Sequence, residues 1–291
     1  MVQWKKNIVK WKVGKTLYLS VPFTWLLDEA RVLAEEHKGP VLAGGPAVDL
    51  IGAPWATETP RKCPYDVLSM HNPLATFTTR GCIRACAFCA VPKIEGGFRE
   101  LIDWKPAPIV CDNNFFAASH SHIERVIDKL AVFPSVDFNQ GLDARILSPW
   151  HLDQLKRLQH VKIRFAFDHV NNESAVSDAV NIAKAAGFRD FGMYVLIGFK
   201  DTPIDAEYRL ETVRSWGIRP NPMRYQPLDA LAKNAHVGNG WTDNELKRMT
   251  RYYSRLRWLE HIPFADYKDS ASDDGQMSLE LPTTTDEETT T

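Results

Sequence analysis

From Leu74 to Gln226, short β-type runs alternate with helix-type stretches, and this alternation limits the fold of the 291-residue chain more than any other feature. Strand, helix and strand in succession imply a parallel sheet with helical crossovers, an α/β class. Strands are predicted at Leu74–Thr79, Pro108–Cys111, Val136–Asn139, Val161–Phe167, Gly192–Ile197 and Met223–Gln226. Between them apolar residues recur at helical three- and four-residue steps. One stripe is Ile123, Val126, Ile127 and Leu130; the next are Leu152, Leu155 and Leu158, then Val176, Ala179, Val180 and Ala183, then Leu210 and Val213. A capping box at Thr242-Asp243-Asn244-Glu245 opens a last helix, which is expected to bury Leu246, Met249, Tyr253 and Leu256.

The first of these strands runs into Cys82, Cys86 and Cys89, spaced C-x3-C-x-Phe-C. Three thiolates this close hold three irons of a [4Fe-4S] cluster and leave the fourth iron open, whereas electron-carrying clusters normally have four Cys ligands. The competing assignments are three ordinary buried thiols or a structural zinc site, the latter usually built from two Cys pairs or a Cys and a His pair. No second Cys pair exists, and His120 and His122 are poorly spaced to complete one. Cys63 and Cys111 are too few for a second cluster.

The motif resembles the signature of the radical S-adenosylmethionine (SAM) superfamily, over residues 74–228 and most closely over 78–89. The resemblance implies a partial (β/α)6 TIM-like barrel with its chemistry at the C-terminal ends of the strands. It also implies SAM chelated through its amino and carboxylate groups on the open iron. An electron donor such as flavodoxin or ferredoxin then drives reductive cleavage to a 5′-deoxyadenosyl radical that abstracts hydrogen. Cys82, Cys86 and Cys89 become the metal ligands, and the implied cofactor-binding residues are Phe88, Asp112, Asn113, Asp143, Arg145, Asp168 and Gly198.

Each has a stated place. The backbone at Phe88 would meet adenine. Asp112-Asn113-Asn114-Phe115 stands where the family often carries Gly-Gly-Glu, and Asp112 would accept the SAM ammonium group or else form an Asx turn. Asp143 and Arg145 would contact the SAM carboxylate or ribose, or pair with each other. Asp168 stands at the ribose position, with His169 beside it as a proton-exchanging or purely structural residue. The segment ending in Gly198 would lie on adenine, and Tyr225 or Gln226 would face the substrate.

Three regions are expected: 1–70, 71–268 and 269–291. The first reads as a βαβ unit, with a strand at Thr16–Val21, a helix at Trp25–Glu36 and a strand at Pro40–Ala43, followed by Gly44-Gly45-Pro46. It resembles the second half of cobalamin-binding domains. The cobalt-ligating Asp-x-His-x-x-Gly is absent, so the unit is taken as a remnant and cobalamin is not expected as a cofactor.

Five cysteines, an odd number, argue against a disulfide framework and for a reducing compartment. With no run long enough to span a membrane and no secretory signal, a cytoplasmic location without a membrane partner is expected. The net charge of −1 hides five Lys and no acid in residues 1–27, and seven acids with no base in residues 269–291. Without that tail the chain has 35 basic against 29 acidic side chains, a balance compatible with a nucleic-acid partner. The acidic tail is expected to be disordered. Within it, the stretch from Gln276 to Leu281 resembles the peptide by which replication proteins bind the DNA sliding clamp. In the last helix Lys247, Arg248, Arg251, Arg255 and Arg257 surround Tyr252 and Trp258, a set suited to phosphates and an unpaired base or simply a solvated face. Three functions follow: a radical SAM enzyme acting on a nucleic-acid base, one acting on a peptide or small metabolite, and a non-catalytic iron-sulfur or zinc-binding adaptor.

Overall fold

A computed structural model describes residues 4–60 and 63–268. Near the N-terminus, strand β1 (Val9–Val13) pairs antiparallel with β2 (Thr16–Ser20). Helix α1 (Leu27–Glu35) then crosses to β3 (Val41–Gly44), which pairs parallel with β2. The βαβ arrangement is the one expected, while β1 was not foreseen, although Val9, Trp11 and Val13 alternate with Lys10 and Lys12 as a strand requires. Leu17, Leu19, Ala30, Val41 and Ala43 form a small buried core of their own. Short helices α2 (Pro46–Ile51) and α3 (Val67–His71) follow. His71 links this unit to its surroundings by bonding Ser20 Oγ at 3.0 Å and the Lys5 carbonyl at 2.8 Å.

The predicted first barrel strand is split in two. β4 (Ala75–Thr76) belongs to the main sheet, and β5 (Thr79–Arg80) leaves it to pair antiparallel with β6 (Arg99–Glu100). Residues 81–98 are thereby closed into a loop that carries all three cysteines and the one-turn helix α4 (Val91–Ile94). The switch occurs at Thr78, whose N–H donates to Asp112 at 2.6 Å instead of to a neighbouring strand.

β4 is followed in the sheet by β7 (Ile109–Val110), β8 (Val136–Phe138), β9 (Val161–Ala166), β10 (Phe191–Ile197) and β11 (Pro220–Arg224). The six strands lie in sequence order, and every pairing is parallel. Helices α5 (His120–Leu130), α6 (Pro149–Leu155), α7 (Glu173–Ala185) and α8 (Pro203–Ser215) fill the crossovers after β7, β8, β9 and β10. The last strand begins three residues earlier than predicted. It includes Pro220 and Pro222, which is possible because β11 is an edge strand in which a missing N–H is tolerated.

The main core lies between sheet and helices. Ile123, Val126 and Ile127 of α5, Val176 and Val180 of α7, and Leu210 and Val213 of α8 pack with Phe138, Ile163, Phe165, Met193 and Val195. Each such buried side chain contributes about 1.5–3 kcal/mol. Helix α9 (Asp243–Ser254) lies against β11 and starts at the expected capping box. It buries Tyr252 as well as Leu246, Met249 and Tyr253, while Leu256 belongs to the next turn, α10 (Leu256–Leu259). Tyr252 is therefore removed from the surface set proposed for base stacking: its ring is fully buried against Phe264 and Tyr267. Trp258 stays 67% exposed. Arg248 is held by the Tyr267 carbonyl at 2.9 Å and stacks on Phe264, so part of the basic face is structural.

Among the described residues no helix is long and apolar enough to cross a membrane. The acidic tail and the stretch from Gln276 to Leu281 lie outside the described residues.

Candidate active site

The cysteine loop folds back over the ends of the parallel strands because several buried groups hold it there. Gly81 precedes the first thiol with φ +75°, a backbone region open to glycine. Any Cβ on it would stand 2.2 Å from the Gly97 carbonyl oxygen across the loop. The Gly81 N–H donates to Glu95 Oε2 at 2.7 Å, and the same oxygen accepts from Asn113 Nδ2 at 2.9 Å. The other Glu95 oxygen pairs with Arg80 at 3.0 Å. One buried carboxylate near the end of the loop thus fastens the loop's start to the segment after β7.

Cys82, Cys86 and Cys89 are free and partly buried, and all three line one cavity of about 430 Å³. That volume is within the range of about 300–1,000 Å³ that suits a small-molecule cofactor. The Cys82 sulfur accepts the Arg84 N–H at 3.3 Å and the Asn114 side-chain amide at 3.6 Å. Burial pushes the Cys86 and Cys89 thiols above their ordinary range, so deprotonation there depends on a positive partner such as bound metal. His120 stacks on Trp150, and His122 is buried beside Arg125 and Glu100, so neither histidine joins the thiols.

Asp143 lines the same cavity close to Cys82, since one Asn114 amide reaches both. Its oxygens accept from Arg145 Nε at 2.7 Å, Arg84 Nε at 2.9 Å and Asn114 Nδ2 at 3.3 Å. Burial works to raise its pKa, but the two arginines outweigh burial and hold the carboxyl below the usual range. The ion pair between Asp143 and Arg145 read from the sequence is present, and Arg84 of the cysteine loop joins it. Asp168 also lines the cavity and accepts the Leu196 N–H at 3.0 Å; burial raises its pKa. Beneath it Arg209 is 1% exposed, donates to the Phe167 and Leu196 carbonyls at 3.1 and 2.8 Å, and pairs with Asp201.

The aromatic wall is continuous. Phe88 meets Phe199 edge-on at 5.5 Å, Phe199 packs on Tyr225 at 4.7 Å, and Tyr225 packs on His236. Phe88 and Phe199 line the cavity with Leu196. Tyr225 stands behind them, and Gln226 is engaged with Asn234. His169 is at the rim, with Nδ1 accepting the Asn171 N–H at 3.1 Å in a local cap.

Two expected residues sit elsewhere. Asp112 is 3% exposed and does not reach the cavity, because both carboxylate oxygens are taken by the N–H and hydroxyl of Thr78. Gly198 is buried behind the wall with φ +80°, its N–H donating to Asp201 at 2.9 Å. A Cβ there would meet Leu246 of α9 at 2.9 Å, so its glycine serves close packing. The residue that sequence reading passed over is Asn114. It is 2% exposed, lines the cavity, and has a buried Oδ1 without a protein partner.

Among the described residues no three His, Cys, Asp or Glu side chains converge as ligands of a single metal ion. A cluster makes a different demand: each thiolate binds its own iron, so the sulfurs stand apart around the cage. Three free thiols on one cavity wall, with N–H donors already on the Cys82 sulfur, fit that demand better than they fit a single zinc ion.

No protein-family model and no curated protein matches the sequence. Among solved structures, coproporphyrinogen III oxidase (HemN) from Escherichia coli, described as a radical SAM enzyme, is similar at 13% identity and a TM-score of 0.39. The match covers 53% of this chain and 40% of that one, so this chain spans well under half of that protein's length.

Proposed function

We propose that the protein is a radical SAM enzyme that abstracts hydrogen from a nucleic-acid base. Cys82, Cys86 and Cys89 would hold a [4Fe-4S] cluster, and SAM would occupy the adjoining cavity. The observation that carries this reading is the placing of all three thiols, together with Asn114, Asp143 and Asp168, on one wall system at the C-terminal end of a parallel sheet. Six strands in sequence order with helices in the crossovers are what a partial (β/α)6 barrel requires. When bound, the cluster supplies the electron that breaks SAM into methionine and a 5′-deoxyadenosyl radical.

The chain's own residues do the rest. Asn114 Oδ1, a buried acceptor with no protein donor, receives an N–H of the SAM ammonium group, the role first assigned to Asp112. Asp112 instead supports the site by fixing Thr78 and hence the start of the cysteine loop. Arg145 and Arg84, oriented by Asp143, present positive charge to the SAM carboxylate. Asp168 accepts the ribose hydroxyls. Phe88, Leu196 and Phe199 form the apolar surface for adenine and keep water from the reacting carbon. A one-electron donor such as flavodoxin or ferredoxin completes the requirement.

Anaerobic reconstitution with iron and sulfide tests the assignment. Four irons and four sulfides per chain are expected, with none retained when Cys82, Cys86 and Cys89 are all replaced by Ala. Stoichiometric zinc and no bound sulfide would replace this reading with the zinc-binding adaptor.

A further inference from the structure

Across β9 to β11 the sheet is covered by a core on one side only. Along a strand, alternate residues share a face. Ile163 and Phe165 of β9, Met193 and Val195 of β10, and Pro220 and Pro222 of β11 are buried towards the helices. Lys162, Arg164 and Ala166 therefore face the opposite side, with Gly192, Tyr194 and Leu196 on β10 and Asn221 and Met223 on β11. Asn221 and Met223 are exposed. On these three strands the face has no apolar layer comparable to the packed interior of a closed barrel.

At its upper end, Ala166 and Leu196 line the cysteine cavity. At its lower end there is a second cavity of about 530 Å³, bounded by Lys162, Arg164, Gly192 and Tyr194, by the loops that enter β10 and β11, and by Tyr253 and Ser254 at the end of α9. Those loops add Arg189 and Arg219. Four cationic side chains thus surround this space against two acids, Asp190 on its wall and Asp137 paired with Arg164. Lys162 reaches Asp190 only at 3.9 Å, and Arg189 is fixed by the Lys184 and Phe188 carbonyls at 2.9 and 2.8 Å. Arg219 is exposed and has no side-chain partner among the described residues. Gly192 lies in register with Arg164, and a Cβ on it would press the Arg164 side chain at 3.1 Å. The missing side chain leaves the guanidinium stem open to the cavity.

We propose that this lower cavity is a phosphate site, and that the substrate of the enzyme carries a phosphate there while its reacting carbon lies in the cysteine cavity. The second half of the statement rests on the function proposed above; the phosphate site does not. Arg164 and Tyr194 of the lower cavity stand two residues from Ala166 and Leu196 of the upper one, about 7 Å at roughly 3.3 Å per residue, and Lys162 lies about 13 Å from Ala166 on the same measure. A nucleotide with its flanking phosphate spans that separation. Guanidinium forks and an ammonium around an open space are the groups that bind phosphate by charge-assisted hydrogen bonds.

The test is calorimetric titration of the full-length chain as purified, at low salt, with pyrophosphate, a nucleoside 5′-monophosphate and a single-stranded hexanucleotide. At least one probe should bind one to one. Arg219→Glu and Lys162→Ala should each weaken it about tenfold or more, as expected for losing a hydrogen bond to a charged group. Lys38→Glu, in the N-terminal unit, should leave it unchanged. Binding of the mononucleotide as tightly as the hexanucleotide would identify a free nucleotide as the source of the phosphate. Binding of the hexanucleotide alone would identify a strand. The proposal is overturned if no probe binds at millimolar concentration, or if Arg219→Glu weakens binding no more than Lys38→Glu does. The titration needs neither iron nor SAM, so its failure would leave the reading of the cysteine cavity intact, and failure of SAM cleavage would leave the phosphate site intact.

Discussion

Asn114 donates its side-chain amide to the sulfur of Cys82 across 3.6 Å, tying the segment after β7 to the first thiol of the cysteine loop. The same amide reaches Asp143, while its own oxygen is buried and without a donor. Asn114→Ala removes both the donor to sulfur and the free acceptor. The variant should keep its iron. SAM affinity should fall about tenfold, in keeping with a lost charge-assisted hydrogen bond. The cluster's reduction potential should become more negative, because N–H donors to sulfur favour the reduced, more negative state. Calorimetry with SAM and a redox titration check both parts.

Gly81 admits no side chain. Its φ of +75° and the 2.2 Å approach of any Cβ to the Gly97 carbonyl oxygen are both backbone constraints, which no rotamer change relieves. Gly81→Ala should fold its helices and main sheet normally but retain little iron after reconstitution. Far-ultraviolet circular dichroism beside iron analysis separates the two effects.

Asp112→Ala should act on stability. Two hydrogen bonds to Thr78 vanish, and a buried N–H and hydroxyl are left unpaired, at about 1–3 kcal/mol for each orphaned group. A clear drop in the denaturant midpoint is expected. SAM affinity per folded, cluster-bearing molecule should change less than in Asn114→Ala.

Acid sensitivity should trace in part to Asp143. Its folded pKa lies below the unfolded value of 3.8, so as pH falls the unfolded chain takes up the proton first. The stabilisation is complete above about pH 5 and is lost as pH falls through the lowered folded value. Asp143→Asn should be less stable than the wild type at pH 7, and the gap between them should narrow towards pH 3. Urea midpoints measured across that range give the answer.

Much of the scaffold was legible because its elements are strongly patterned. β9, β10, α5 and α7 bury one regular face each, and the observed elements follow those stripes. The three cysteines were legible because their spacing is local. What escaped depended on partners distant in the chain. Nothing around Glu95 announces that its carboxylate holds Gly81 and Asn113, since the loop closure that brings them together is set by the pairing of β5 with β6. Asp112 looked like a rim residue, yet the strand switch at Thr78 leaves an N–H that draws its carboxylate inward. Tyr252 looked exposed beside Tyr253, but α9 is covered on two sides, by β11 and by the segment holding Phe264, so both rings are buried.

The measurement that bears most directly on the central claim is 5′-deoxyadenosine formation by the anaerobically reconstituted protein with SAM and dithionite, run beside Cys86→Ala. The account predicts product from the wild type and none from the variant. Equal product from both, or none from a wild type that carries four irons and is supplied with single-stranded DNA, would contradict it.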